Sequence, residues 1–207
     1  MNEINLTLGA QVHCQDEEVG KLAKIVVDPE TKQVSNLVVE KGLLFKQARV
    51  CPVSLVEATD SDEIRLSSRS QDLADLPEYK EVKYERPAEG WSGSGGGGFN
   101  SAGAQFPSMG GYESAVNTIR ETVHEGVPTE HVVISAKTPV KNIDGELGKV
   151  EILRVDAITR QVTGLRMREG RLFGGEIDIP GHLIESMGNG SIFLTADDEE
   201  LEIQNTQ

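Results

Sequence analysis

The sequence has few aromatic residues, few cysteines and no long hydrophobic run. Aromatic residues make up 4% of the 207 positions and there are two cysteines, so a core must be built mainly from Val, Leu and Ile, with no disulfide framework. No stretch reaches the roughly 18 consecutive apolar residues of a transmembrane helix. The opening MNEINLTLGA lacks a basic segment followed by an apolar one, as a signal peptide would have. We therefore expect a cytoplasmic protein without membrane insertion.

Positive charge is also in short supply. The chain has 20 Lys and Arg against 34 Asp and Glu, a formal net charge of −14. Binding to nucleic acid without sequence preference is driven by neutralisation of phosphates, so we expect no nucleic-acid partner. The simplest role of the acidic excess is solubility.

Patterns that carry catalysis are missing as well. The four histidines have no spacing typical of a zinc site, and the glycine-rich stretch lacks the Lys-Ser/Thr that completes a phosphate-binding loop. The serines of the glycine-rich stretch GWSGSGGG lie in a segment too flexible to hold an oxyanion hole. The sequence therefore predicts no enzyme, no metal site and no cofactor.

What the sequence does contain is an internal repeat. The stretch VDPETKQVSNLVVEKGLLF, beginning at Val27, recurs as VDAITRQVTGLRMREGRLF, beginning at Val155. At an offset of 128 residues, 19 positions between 12 and 66 are identical without a gap. The repeat predicts two domains, residues 1–84 and 130–207, joined by residues 85–129.

Each copy reads as a series of short strands separated by turn signals, which predicts an all-β fold of two small barrels. Pro52 and Pro180 should mark an edge or a bulge, because proline cannot donate to a central ladder. Gly42 and Gly170 end equivalent strands, where we expect positive φ.

The segment between the copies changes in composition. Residues 90–111 contain 9 of the 22 glycines, which predicts a flexible linker. Residues 114–125 then place Val116, Ile119 and Val123 at helical spacing, with Ser114 as a cap and Gly126 as a stop, and predict a short amphipathic helix.

The repeated pattern resembles the PRC-barrel family. In each copy, Gly-Lys enters a strand, Val-Asp precedes a turn, Val-x-x-Leu runs to Gly-x-Leu-Phe, and Pro is followed by Leu-x-Glu. The resemblance covers about 150 of the 207 residues and implies two SH3-like PRC-type barrels. The fold-determining residues that it implies are Gly20, Asp28, Leu37, Gly42, Leu44, Phe45, Pro52, Gly148, Asp156, Leu165, Gly170, Phe173 and Pro180.

In function, the resemblance implies a non-catalytic module that holds another protein, a scaffold or adaptor. Two alternatives follow from different branches of the family. One is a ribosome-assembly or RNA-processing accessory factor, like the ribosome maturation factor. The other is an accessory protein of a photosynthetic or membrane complex, like the reaction-centre H subunit.

Two groups of residues are candidates for partner binding. Trp91, Phe99 and Phe106 are spaced anchors in the linker, and they either dock on a partner or fold back onto a barrel of the same chain. The second copy gathers Arg154, Arg160, Arg166, Arg168 and Arg171, which form either a patch for an acidic partner or a solvated face with local salt bridges.

The first copy has Val26 and Val38 where the second has Arg154 and Arg166. If both valines point outward, they form an apolar patch that something must cover. The linker aromatics, the predicted helix or another protein molecule would do so, and we expect the first copy alone to self-associate through this patch.

Overall fold

The computed structural model describes residues 3–41, 47–87, 118–170, 175–188 and 190–195, with the backbone alone for 83–87 and 118–123. This part of the chain is nearly all β, which confirms the predicted class. Its one α-helix is α1 (Ser70–Ala74), and 3-10 turns span Val53–Leu55 and Gly181–Leu183. None of the described helices is long and apolar enough to cross a membrane.

The strands of the first half are β1 (Glu3–Thr7), β2 (Gln11–His13), β3 (Glu18–Val27), β4 (Val34–Lys41), β5 (Gln47–Pro52), β6 (Val56–Thr59), β7 (Glu63–Leu66) and β8 (Lys80–Pro87). Those of the second half are β9 (Thr118–Glu125), β10 (Val132–Ser135), β11 (Pro139–Lys141), β12 (Glu146–Asp156), β13 (Val162–Glu169), β14 (Glu176–Pro180), β15 (Ile184–Gly188) and β16 (Ser191–Leu194).

The two copies of the repeat form two seven-stranded sheets of the same topology. One has the order β5-β4-β3-β2-β7-β6 and the other β14-β13-β12-β11-β16-β15. In each, one parallel pair joins the second strand to the last, β2 to β7 and β11 to β16. The pairing among described residues does not close either sheet.

The seventh strand of each sheet comes from the other copy. β1 pairs antiparallel with β12, with Leu6 opposite Leu153, while β10 pairs antiparallel with β3, with Ile134 opposite Ile25. The two registers are related by the 128-residue offset of the repeat. The predicted boundary at residue 130 therefore does not separate the sheets, because each copy contributes a strand to its counterpart.

The turns that follow β3 and β12 meet each other and make the pairing symmetric. Gln33 and Gln161, which occupy the same position in the repeat, form an antiparallel bridge. The Val34 amide donates to the Arg160 carbonyl at 2.9 Å, and the Val162 amide donates to the Lys32 carbonyl at 2.9 Å. Lys32 and Arg160 both have left-handed backbone, at φ 55° and 63°. An approximate two-fold axis thus passes between the glutamines.

One apolar core serves both copies. The buried cluster that contains Leu6, Ile25 and Leu37 continues through Ile134, Leu153 and Leu165. Burial of each such side chain contributes roughly 1.5–3 kcal/mol. Since both sheets line this core, we expect the copies to depend on each other for stability.

The glycines at the start of the long strands have a clear steric role. A Cβ on Gly20 would lie 2.2 Å from the Glu40 carbonyl oxygen, and one on Gly148 would lie 2.2 Å from the Arg168 carbonyl oxygen. Any side chain would push the two hairpin strands apart, so both sheets need glycine here.

Asp28 and Asp156 shape the two equivalent turns. Asp28 accepts hydrogen bonds from the amides of Glu30 at 2.9 Å and Thr31 at 3.3 Å. Asp156 accepts from the amides two and three residues further on, at 2.9 and 2.8 Å. These donors lower the pKa of both carboxyls.

The other predicted fold determinants have varied outcomes. Leu37 and Leu165 are fully buried, and Pro52 and Pro180 are the last residues of β5 and β14. Gly170 does not adopt the predicted positive φ, and among the described residues a Cβ there would approach only the Leu147 carbonyl, at 4.0 Å, so this part of the chain does not require glycine there. Gly42, Leu44, Phe45 and Phe173 lie outside the described residues.

The helix predicted for 114–125 is wrong over its described part, since Thr118–Glu125 is strand β9. Four β-branched residues in eight favour a strand, and β8 supplies the partner in a two-stranded sheet. Residues 81–123 form a compact unit distinct from the unit of residues 1–80 and 124–207. Residues 88–117, including most of the predicted linker, lie outside the described part.

Candidate partner-binding surface

Each sheet has a core face and an opposite face, called here the outer face. In the first copy the outer face is apolar. Val26 and Val38 are both fully buried in a second, smaller cluster with Ala48, Val50 and Tyr79. Val127 and Val133 pack at its margin.

A short extended segment of the same chain covers this face. Residues 77–79 run along the outer edge of β5, where the Val50 amide donates to the Pro77 carbonyl and the Tyr79 amide donates to the Ala48 carbonyl, both at 2.9 Å. Arg49 and Glu78 form an antiparallel bridge between these hydrogen bonds. The segment therefore acts as an additional edge strand.

The Tyr79 side chain holds this covering segment, residues 77–79 (called here the cover), on the outer face. Its ring lies under the Lys24 ammonium, with Nζ 4.9 Å from the ring centroid. Its hydroxyl is 2.6 Å from Nδ1 of His124, and the two rings stack with centroids 5.8 Å apart. Cation–π attraction, ring stacking and the hydroxyl contact together hold the aromatic residue on the sheet.

The expectation of an exposed valine patch needs correction. Val26 and Val38 do point away from the main core, but the ring of Tyr79 and the valines beside it exclude water from them. The predicted helix does not supply this segment, since its described part, Thr118–Glu125, is strand β9. The two valines are therefore inaccessible to a partner while residues 77–79 are in place.

The outer face of the second copy is ionic. Arg166 on β13 bonds to Asp178 at 2.9 Å and to Glu176 at 3.3 Å. Arg168 pairs with Glu151, and Arg154 lies 3.7 Å from Asp178. These arginines are thus part of a ladder with carboxylates on β12 and β14, which was one of the two open interpretations.

The Arg154 guanidinium has room on the sheet because residue 164 is glycine. A Cβ on Gly164 would lie 2.7 Å from a terminal nitrogen of the Arg154 guanidinium and 2.6 Å from the Ile179 carbonyl. The guanidinium instead lies over Gly164 and donates to that carbonyl at 3.3 Å. The first copy has Val26 and Asn36 at these positions, so the change of face involves both strands.

The ladder balances its own charge. The hydrogen bonds that Arg166 donates to Asp178 are the largest cause of its raised pKa, and the charges of the nearby carboxylates add to the effect. The side chains of Arg166 and Arg168 remain 36% and 64% exposed. Because three arginines face three carboxylates, the face presents directional hydrogen-bonding groups without a large net positive charge.

The outer edge of β14 has no partner among the described residues. β14 pairs with β13 on one side and ends the sheet on the other, whereas the equivalent strand β5 is joined by residues 77–79. In the second copy, the strand edge and the outer face equivalent to those covered by residues 77–79 in the first copy are therefore uncovered among the described residues.

The remaining predicted site residues are not brought to this surface by the described structure. Trp91, Phe99, Phe106 and Arg171 lie outside the described residues. Arg160 sits in the turn at the two-fold axis. Sequence reasoning missed Tyr79, whose signal was that it is the sole aromatic residue between 46 and 83, 13 residues after the last identity of the repeat.

One open cleft of about 340 Å³ adjoins the ladder, between Leu8, Ala136 and the strands β12 and β13. Its charged lining residues are Glu146, Lys149, Glu151, Arg168 and Glu169. Among the described residues, its lining includes no Ser, Thr, Cys or His, so no hydroxyl, thiol or imidazole from this part of the chain faces the cleft. Across the described part of the chain, no group of three or more acidic, His or Cys side chains could hold a metal ion.

The two cysteines are reduced and buried. Burial raises the pKa of the Cys51 thiol to about 12 and also raises that of Cys14. Both thiols are therefore protonated near neutral pH, which makes them poor nucleophiles. Cys51 occupies the position of Ile179 in the repeat and packs as a core residue.

Comparison with known proteins gives no relative: no family model matches the chain, and no curated protein matches it.

Proposed function

We propose that this protein is a non-catalytic module that binds another protein, built from two PRC-type barrels that have exchanged their first strands. The observation that carries the proposal is the difference between the two outer faces. One is covered by an edge strand and an aromatic ring of the same chain, and its equivalent is bare among the described residues. Open sheet edges are a common site for the addition of a strand from a partner protein.

The ladder suits a protein partner better than RNA. Arg154, Arg166 and Arg168 are each engaged by a carboxylate, and phosphate binding would have to compete with those ion pairs. The acidic total charge opposes such binding further. A ribosome-associated or RNA-processing role therefore receives less support than a role in protein recognition.

The proposal is tested by capture of the partner and reconstitution of the complex. The full chain is cross-linked in cells and recovered, with an unrelated acidic protein of similar size as control. We expect one protein to be enriched over the control and, once purified, to bind the full chain with defined stoichiometry in calorimetry. If no captured protein binds again as a purified component, the proposal is wrong.

A further inference from the structure

The pair of residues that supports the Tyr79 ring in the first copy is present in the second copy with its members transposed. In the first copy, Lys24 on β3 lies directly opposite Val38 on β4. At the equivalent positions of the second copy, Ile152 on β12 lies directly opposite Arg166 on β13. In each of these pairs, one cation thus lies beside one branched aliphatic side chain.

This combination suits a flat aromatic ring. The first copy shows the arrangement in use, with Tyr79 on the valines and the Lys24 ammonium over its ring. A guanidinium stacks on aromatic rings at least as well as an ammonium does, and it can do so while its edge stays bonded to carboxylates. Arg166 can therefore keep Asp178 and Glu176 as partners and still offer its plane to a ring.

The edge of β14 supplies the backbone half of the same site. In the first copy the segment is bound through the Val50 amide and the Ala48 carbonyl. Their equivalents in the repeat are the Asp178 amide and the Glu176 carbonyl. Because Arg166 lies opposite Asp178 as Val38 lies opposite Val50, we infer that both groups point to the strand edge that β13 does not occupy. A strand that pairs there antiparallel would place one side chain over Ile152 and Arg166.

We propose that the outer edge of β14, with Ile152 and Arg166, is a docking site for an extended segment of a partner protein that carries an aromatic residue. The chain's own repeat does not supply that residue, because the position 128 residues after Tyr79 is Gln207. The inference rests on the proposed protein-binding function and specifies the surface and the ligand.

The probe is the chain's own covering segment as a synthetic peptide of residues 74–82, ADLPEYKEV, titrated into the full isotope-labelled chain. We expect saturable changes in the amide signals of Ile152, Arg166, Glu176 and Asp178. A peptide with Ala for Tyr should bind about tenfold more weakly, since stacking and cation–π contact are lost. A peptide N-methylated at the tyrosine should bind about fivefold more weakly, because one ladder hydrogen bond is removed.

Two protein variants locate the site. Arg166→Gln should weaken peptide binding several-fold, whereas Arg65→Gln, which removes an exposed arginine paired with Glu63 on β7, should leave it unchanged. If the β14 signals do not respond, or if Ala48 and Val50 respond instead, the assignment of the site is wrong. Equal binding of the native and N-methylated peptides would also overturn it, since strand addition requires that amide.

A third variant decides whether the ligand comes from elsewhere. Trp91, Phe99 and Phe106 are replaced together by serine in the full chain. Peptide affinity equal to that of the native chain supports an open site for a partner. Affinity at least tenfold higher would show that the linker occupies the site, and the assignment to a partner protein would fail. Failure of the peptide alongside successful reconstitution of a complex would reject this surface and leave the proposed function standing.

Discussion

The two copies of the repeat agree on their core faces and differ on their outer faces. On the core faces, Leu37 and Leu165 are both fully buried. On the outer faces, Val26 and Val38 are sealed beneath Tyr79, while Arg154 and Arg166 stand in a ladder of ion pairs. The shared core thus constrains the residues on the core face of each sheet. The residues on the outer faces differ with the side chains that pack on them.

This difference also separates two kinds of stabilisation. The first outer face gains from removal of apolar surface from water, roughly 25 cal/mol for each Å² buried. The second relies on partly exposed ion pairs, which typically contribute about 0–1 kcal/mol each. We therefore expect substitutions at equivalent positions to have very unequal effects.

The largest effect is expected when the character of the two outer faces is exchanged. The double change Val26→Arg and Val38→Arg places two permanent charges beneath Tyr79, and we expect a loss of at least about 3–5 kcal/mol in the free energy of unfolding. The reciprocal change, Arg154→Val with Arg166→Val, should cost about 1 kcal/mol or less. Guanidinium denaturation followed by circular dichroism measures both.

The first double variant would keep its stability if Tyr79 and residues 77–79 could leave the face without cost. In that case the cover would be incidental, and the contrast between the two faces would have no energetic basis. If the two double variants lose free energy of unfolding by amounts within about 1 kcal/mol of each other, the prediction is wrong.

The second prediction concerns the exchanged strands. Leu6→Ala on β1 and Ile134→Ala on β10 remove equivalent, fully buried side chains, and each should cost about 2–5 kcal/mol. Because each strand belongs to the sheet of the other copy and both sheets share one core, either change should lower the stability of the whole unit in a single transition.

Calorimetry of the two variants tests this coupling. Two separate transitions, of which each variant shifts only one, would show that the copies unfold independently. Ile158→Ala provides a control of the same chemistry, since Ile158 is 84% exposed and should have almost no effect.

The third prediction concerns the anchor of the cover. Tyr79→Phe keeps the ring and its contact with Lys24 but removes the hydroxyl contact with His124, so we expect a loss of about 0.5–1.5 kcal/mol. Denaturant midpoints at fixed pH give the value. An unchanged midpoint would mean that packing alone holds the ring.

The repeat allowed the class of fold and much of the strand pattern to be predicted. Alternation in segments such as INLTL and HVVIS identifies strands β1 and β10. It does not identify the strands with which they pair. The pattern of buried and exposed residues around Leu6 would be the same if β1 paired within its own copy or with the other copy. The exchange is a property of chain connection and long-range pairing, which local periodicity does not encode.

The helix prediction failed for a related reason. Val116, Ile119 and Val123 fit a helical period, but the β-branched residues between 118 and 125 fit a strand equally well, and β8 decides the outcome through pairing. The change from valine to arginine was visible in the sequence, and so was the transposition of Lys24 and Val38 to Ile152 and Arg166. The residue that covers the first outer face could not be found by comparing the copies, because Tyr79 lies outside the repeated segment.

The smallest expected effect lies in the two turns at the two-fold axis, where the copies should again behave alike. Asp28 and Asp156 both have a lowered pKa because backbone amides donate to their carboxylates. A lowered folded-state pKa means that the stabilisation is complete above the unfolded value of about 3.9 and disappears as the pH falls through the lower folded value.

Asp28→Asn and Asp156→Asn keep an acceptor oxygen but remove the charge. Each should therefore reduce stability at pH 7 by a similar small amount and have no effect at the acid end of the range. Urea unfolding between pH 7 and pH 2 measures the difference, with Asp62→Asn in the β6–β7 turn as control. A pH-independent difference would show that the charge is irrelevant to the turn. A clear inequality between the two aspartates would show that the approximate symmetry of the fold does not extend to its electrostatics.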